Sequence, residues 1–250
     1  MTRDTAGPMA RSVADLSLLD SVMTGDFSNP TMNLSDVRLG VPSDLFWENL
    51  DPGIRSATNE ALDLLQSQGV TLIPVPMPDI GKLDEEVSFI VVLHEFVRDM
   101  TAYLKHKRDG IEFETLISQI GSPDVRAIAL PLIHGGTIPV DAYETALNTR
   151  RRLQSLYKDV FSLHGLHGLA FPTTPRTAAL IGEDETVELN GQREPTFSTF
   201  IRNSDPGSNA GIPGLSLPIG LVNGLPAGLS IDGPVGTDRQ LLAIGRSEEH

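Results

Sequence analysis

The chain contains no cysteine. That excludes a disulfide framework and thiolate chemistry, and it fits a reducing, cytoplasmic setting. Basic residues are scarce: 19 Lys and Arg stand against 33 Asp and Glu, for a formal charge of −14. Phosphate backbones are bound by clustered cations, so no nucleic-acid partner is expected. The one basic run, Arg150-Arg151-Arg152, falls in a predicted helix and reads as a solvated face. No apolar stretch reaches the roughly 18 residues that suggest a membrane span, so no membrane is expected. The first 16 residues lack the apolar core of a secretory signal. The phosphate-cradling patterns G-x-G-x-x-G and G-x-x-x-x-G-K-[ST] are missing as well. No nucleotide is signalled by these residues, and no cofactor of any other kind is expected. Nor does any serine stand in G-x-S-x-G, the strained strand-to-helix turn of a nucleophile elbow.

What is present describes an α/β chain. At 250 residues and 40% apolar, residues 1–250 read as one domain with a sizeable core. Residues 12–24 predict a helix, capped by Ser12 with Asp15 at the third position and stopped by Gly25. Its apolar stripe is Leu16, Leu19, Val22 and Met23. A strand at 38–42 follows, then a helix started by Asp51-Pro52 with stripe Ile54, Ala57, Ala61, Leu64 and Leu65. Residues 70–75 read as a buried strand, and strand, helix, strand in this order suggests a βαβ crossover.

Residues 82–107 predict one long helix with His94 among its apolar positions, a core histidine in the simplest reading. Lys105, Lys107 and Arg108 sit at its C-terminal end, where cations suit the helix dipole. Residues 112–136 look like shorter helices and loops forming a mobile cover, and 140–163 a second long helix. A strand at 169–171 runs into the stiff loop Pro172-Thr173-Thr174-Pro175. Asn190-Gly191 is a turn signal, and 215–221 with 225–231 read as a hairpin through Val222-Asn223-Gly224. Residues 237–250 begin a helical stripe with Leu241, Leu242 and Ile244 that reads as cut short.

Chemistry-bearing residues are few. Ser208 lies in Gly207-Ser208-Asn209-Ala210-Gly211, whose G-S-x-x-G spacing reads as a glycine-rich loop of close backbone approach. His134-Gly135-Gly136 reads as a loop leaving a helix. His164 and His167 lack a third ligand of matching spacing, so no metal is expected. Asp4, Asp205 and Asp238 default to turns and caps. For Asp205 and Asn209 two readings stay open: loop anchors, or groups facing a cleft at the mouth of the sheet.

Three segments, DTAGPMARSVADLSLLDSVMTG (4–25), AFPTTP (170–175) and SDPGSNAGIPGLSLPIGLVNGLPAGLSIDGP (204–234), in this order resemble the amidase signature family. The stretch TVELNGQREPTFSTFIRNSDPGSNAGIPG is most similar to the branch of indoleacetamide and mandelamide hydrolases. The resemblance implies an α/β/α sandwich around a mixed sheet, and hydrolysis of a carboxamide to an acid and ammonia. It implies a serine nucleophile, a second serine in a cis peptide, a lysine of depressed pKa and a backbone oxyanion hole. Those groups precede the Asp-Thr-x-Gly-Pro segment in the family, and here that segment starts at Asp4. No Ser-Ser pair occurs, and the one Gly-Gly pair is followed by Thr137. The chain therefore reads as the C-terminal portion of such an enzyme, with no catalytic residue of its own and no activity when isolated.

What the resemblance leaves here is substrate binding: Thr173, Thr174, Asp205, Ser208 and Asn209, with residues 82–107 and 124–136 as a lid. Phe89, Phe96, Phe113 and Phe197 are aromatic contacts or core. The implied partners are a small amide and either the absent N-terminal half or a second copy. Two other readings stand beside it: a non-catalytic binding or partner module derived from an amidase, and an amidotransferase A-subunit-like fragment. The acidic charge and the sequence NSDPGSNAG favour the small-amide branch over the latter. Missing N-terminal strands would leave unpaired edges and an exposed apolar face, so association is expected.

Overall fold

A mixed sheet organises the residues described in this computed structural model, 2–3, 5–107 and 110–248. The expectations placed on Asp4 and Arg108 lie outside the described residues. In chain order come α1 (Val13–Thr24), a 3₁₀ turn (Leu34–Asp36), β1 (Arg38–Pro42), α2 (Pro52–Ser67), β2 (Thr71–Val75), α3 (Ile80–Glu85) and α4 (Ser88–Lys107). Then follow α5 (Phe113–Ser118), α6 (Pro123–Ile133), α7 (Val140–His164), β3 (Gly168–Pro172), β4 (Thr186–Leu189) and β5 (Gln192–Pro195). The last are α8 (Thr196–Ile201), α9 (Asp205–Ala210), β6 (Gly214–Val222), β7 (Leu225–Asp232) and α10 (Asp238–Glu248).

Five strands lie in the order β2-β1-β3-β7-β6. β1 runs parallel to β2 and β3, and β7 antiparallel to β3 and β6. The β1–α2–β2 unit is the expected crossover. Its helix starts where Asp51 accepts from the N–H groups of Gly53 (2.8 Å) and Ile54 (3.1 Å), with Pro52 in the first turn. Two hairpins close on Asn-Gly pairs that hold positive φ: Asn223 (+52°) with Gly224 (+80°) between β6 and β7, and Asn190 (+52°) with Gly191 (+81°) between β4 and β5.

Alternating side chains separate two cores. Leu39, Ala170, Leu215, Leu217, Leu229 and Ile231 pack on α1, α2 and α10. Leu169 and Phe171 face the other way, against Leu153, Tyr157 and Phe161 of α7, Leu83 of α3 and Ala210 of α9. The result is a mixed sheet flanked by helices on both faces. Helices α4, α5 and α6 share a core of their own, with Phe96 and Phe113 edge to face at 5.6 Å. Phe89 and Phe197 are instead exposed and meet each other at 6.1 Å.

Several sequence expectations are corrected. α1 is capped as expected, but it buries Val13, Ser17 and Ser21 and exposes Leu19, Val22 and Met23. Ser17 and Ser21 bond back to the carbonyls of Val13 and Ser17, while Asp20 pairs with Arg239 of α10 at 2.8 Å. Small, satisfied serines thus form the inward face. α2 buries Ile54 and Leu65 as expected, and Thr58 and Leu62 with them, but exposes Leu64. β2 is an edge strand and mostly uncovered, not a buried one. The expected helix at 82–107 is broken after Glu85, where Val87 N–H bonds the Asp84 carbonyl in a tightened turn. The glycine-rich loop is the short helix α9, closed by Gly211 at φ +72°. Arg150 is buried rather than solvated.

Candidate functional site

The β6–β7 pairing builds the floor of a cleft. Ser216 stands directly opposite Ser230, and Gly214 opposite Asp232. Residues two apart share a face of a strand, so both β7 side chains project toward α9 from the same side of the sheet as Phe171. Thr173 follows β3 and is held by its N–H to the Gly228 carbonyl at 2.9 Å. Its hydroxyl lies 2.7 Å from that of Ser216 and accepts from Ser230 at 3.1 Å. Gly228 leaves the room: a Cβ there would sit 2.8 Å from Thr173 Oγ1 and 2.9 Å from Ser216 Oγ. The cleft above this trio has a volume of about 660 Å³ and is lined also by Thr2, Arg3, Ser208, Ile212 and Asp232.

Asp232 is the unusual group. It is 7% exposed and its carboxyl makes no hydrogen bond or ion pair among the described residues. Burial alone pushes its pKa up to about 8. A side chain at 207 or 214 would overlap its carboxylate oxygens, so two glycines frame it.

Behind the cleft wall lies a buried polar network. Arg3 forms an ion pair with Asp205, which also accepts from Asn209 Nδ2 at 3.3 Å. Asn209 Nδ2 donates to Asp84 at 2.6 Å. Arg150 clamps the network, donating to the carbonyls of Asn209 and Thr2 at 2.6 Å each and to Thr2 Oγ1 at 2.7 Å. Burial pushes Asp84 to about 6, against the lowering effect of Asn209 and Arg3. Glu95 receives the Thr2 N–H (2.8 Å), the Thr2 hydroxyl (2.6 Å) and the Tyr143 hydroxyl (2.8 Å). Burial raises its pKa, but these donors outweigh it and leave Glu95 below the usual range.

Of the residues singled out from sequence, Thr173 and Ser208 line the cleft. Asp205 and Asn209 lie in the network that supports its wall. Thr174 turns away, its hydroxyl donating to the Arg176 carbonyl at 2.8 Å. Ser216, Ser230 and Asp232 were missed. Their signal was the alternation Leu-Ser-Leu at 215–217 and Leu-Ser-Ile-Asp at 229–232, which places polar groups on one face of a half-covered hairpin.

Among the described residues no serine hydroxyl bonds a histidine or a lysine. His94 stacks on Tyr143 at 4.1 Å and its Nδ1 lies 3.0 Å from the Ile138 carbonyl. His167 Nδ1 accepts from the Arg38 N–H at 3.0 Å, and the His164 carbonyl from the Arg38 guanidinium at 3.1 Å. A second, largely apolar cavity of about 680 Å³ lies between α7, Ala210, Ile212 and Pro234; it is lined by Tyr157, whose buried hydroxyl has no hydrogen-bond partner among the described residues.

A family model described as amidase matches residues 1–242. The chain belongs to the amidase family. Among curated proteins, this amidase chain is 40% identical to an indoleacetamide hydrolase of Agrobacterium vitis over 99% of its own length and 54% of that protein. It is 38% identical to a mandelamide hydrolase of Pseudomonas putida over 97% of its length and 49% of that protein. A solved amidase structure superimposes with a TM-score of 0.79 at 28% identity, covering 97% of this chain and 52% of the other. The amidase chain thus spans about half the length of the curated relatives it matches. No helix among the described residues is long and apolar enough to cross a membrane.

Proposed function

We propose that this chain supplies the substrate-binding wall of an amidase that converts an arylacetamide-like carboxamide to its acid and ammonia. The observation that carries this reading is the similarity to indoleacetamide and mandelamide hydrolases along nearly the whole chain. The cleft supports it chemically. Its floor carries the hydroxyls of Thr173, Ser216 and Ser230, suited to a polar ligand. In this reading Thr173 and Ser208 face the substrate, Asp205 and Asn209 hold the wall in place, and Thr174 fixes the loop. Residues 1–250 act as one unit, the C-terminal portion of an amidase signature domain. Its partner is either a polypeptide carrying the serine pair and lysine or a second copy.

The same reading makes the isolated chain inactive, because acceleration of amide hydrolysis needs an activated nucleophile. The test is ammonia release from indole-3-acetamide and mandelamide by the purified chain. No turnover above the buffer rate is expected. Turnover abolished by replacing one serine of this chain would overturn the assignment.

A further inference from the structure

Among the described residues, every polar side chain that the β6–β7 pairing sets on the cleft floor is committed to a neighbour except one. Thr173, Ser216 and Ser230 bond among themselves, and Arg3 is committed to Asp205. Asp232 remains, nine-tenths buried, framed by Gly207 and Gly214 and lining the cleft. A carboxyl held out of water without a partner is destabilising, and such groups are retained where they meet a ligand. Glycine at both framing positions keeps its two oxygens accessible, since a methyl group at either would cover one.

Resting on the amidase reading above, we propose that Asp232 is the specificity-determining residue of the cleft. Its carboxyl pairs with a primary carboxamide, accepting an amide N–H on one oxygen and donating its own proton to the amide carbonyl. The surroundings favour the protonated form this requires. Burial raises the group to about 8, so it keeps its proton at neutral pH. Tyr157 of α7 feels its charge: it is raised well above the usual range, first by burial and then by Asp232 and Asp84. A protonated carboxyl presents one donor and one acceptor in a plane, the complement of the –CONH₂ edge. An ester or an N,N-dialkyl amide offers no N–H to that edge.

The test is binding of phenylacetamide and N,N-dimethylphenylacetamide to the full chain, titrated by NMR at neutral pH. Because the readout is affinity, a chain that releases no ammonia still answers it. Loss of one buried hydrogen bond corresponds to about a tenfold change in Kd. The wild-type chain is expected to prefer the primary amide by about that factor. Asp232→Asn, which keeps a donor and an acceptor in the same plane, should retain the preference. Asp232→Leu should abolish it while melting no lower than wild type. Gly214→Ala, which sets a methyl against the carboxyl, should weaken primary-amide binding without unfolding the edge strand. Equal affinity for the two ligands in wild type, a preference that survives Asp232→Leu, loss of the preference in Asp232→Asn, or no binding of either ligand to the folded chain would overturn the proposal.

Discussion

Asp232 gives the stability of the chain a pH signature. Its carboxyl stands near 3.8 unfolded and about 8 folded. Between those values the folded state binds more protons than the unfolded state, so stability falls as pH rises through this window. Asp84, raised to about 6, acts in the same sense over the lower part of it. Glu95, held below its usual value of 4.5, acts oppositely, and only at the acid end of the range. Urea midpoints measured from pH 4 to pH 8 are therefore expected to decline, and Asp232→Asn to flatten the decline. A second residue-scale expectation concerns Arg150. Arg150→Met strands the Asn209 and Thr2 carbonyls in a buried network, at a cost of about 2–4 kcal/mol measured by urea denaturation. The two residues differ in legibility. Thr173 and Ser208 could be reached from sequence because each sits in a short segment with a family likeness. Asp232 could not, because the room around its carboxyl is left by glycines 18 and 25 positions earlier in the chain. Arg150 was hidden by its neighbours: three consecutive arginines read as one solvated run, yet a helix turns successive residues about 100° apart, so one of the three faced inward.

Caps and turns were the legible part of each element. Ser12, Asp51, Asn190-Gly191 and Asn223-Gly224 act locally, and local chemistry survives whatever packs around it. Helix phase was less legible. α1 approaches α10 through Val13, Ser17 and Ser21, so Leu18, Leu19, Val22 and Met23 lie outside. Counting apolar side chains selected the wrong face, because small residues let helices approach closely without raising the hydropathy of the stripe. The consequence is directional. Ser17→Leu should overpack the α1–α10 contact and destabilise by about 1–3 kcal/mol. Val22→Ser, on the exposed side at 68% exposure, should change stability by less than about 0.5 kcal/mol. The reverse order of effects in urea denaturation would restore the stripe first read from the sequence. β2 was misread for a related reason: β-branched content marks a strand, but position at the sheet edge decides its burial.

At the scale of the molecule, the parallel β1–β2 pair was legible through its intervening helix. The β6–β7 hairpin was legible as well, but its placement beside β3 was not, since antiparallel pairing across some sixty residues leaves no periodic trace. Leu18, Leu19, Val22, Met23 and Phe27 are exposed around α1, and β6 and β2 have unpaired outer edges among the described residues. Apolar surface of that kind promotes association. Sedimentation velocity on the purified chain is expected to show species larger than a monomer, reduced when Leu19 and Val22 are replaced by serine. A sharp monomeric boundary at high concentration would count against this.

The central claim is that a binding wall is present without the atom that attacks the carbonyl. Calorimetric titration with indole-3-acetamide, followed by recovery of the ligand, tests both halves together. A saturable binding heat with the amide recovered unchanged is the expected result. No saturable heat, or recovery of indole-3-acetic acid and ammonia, would contradict it.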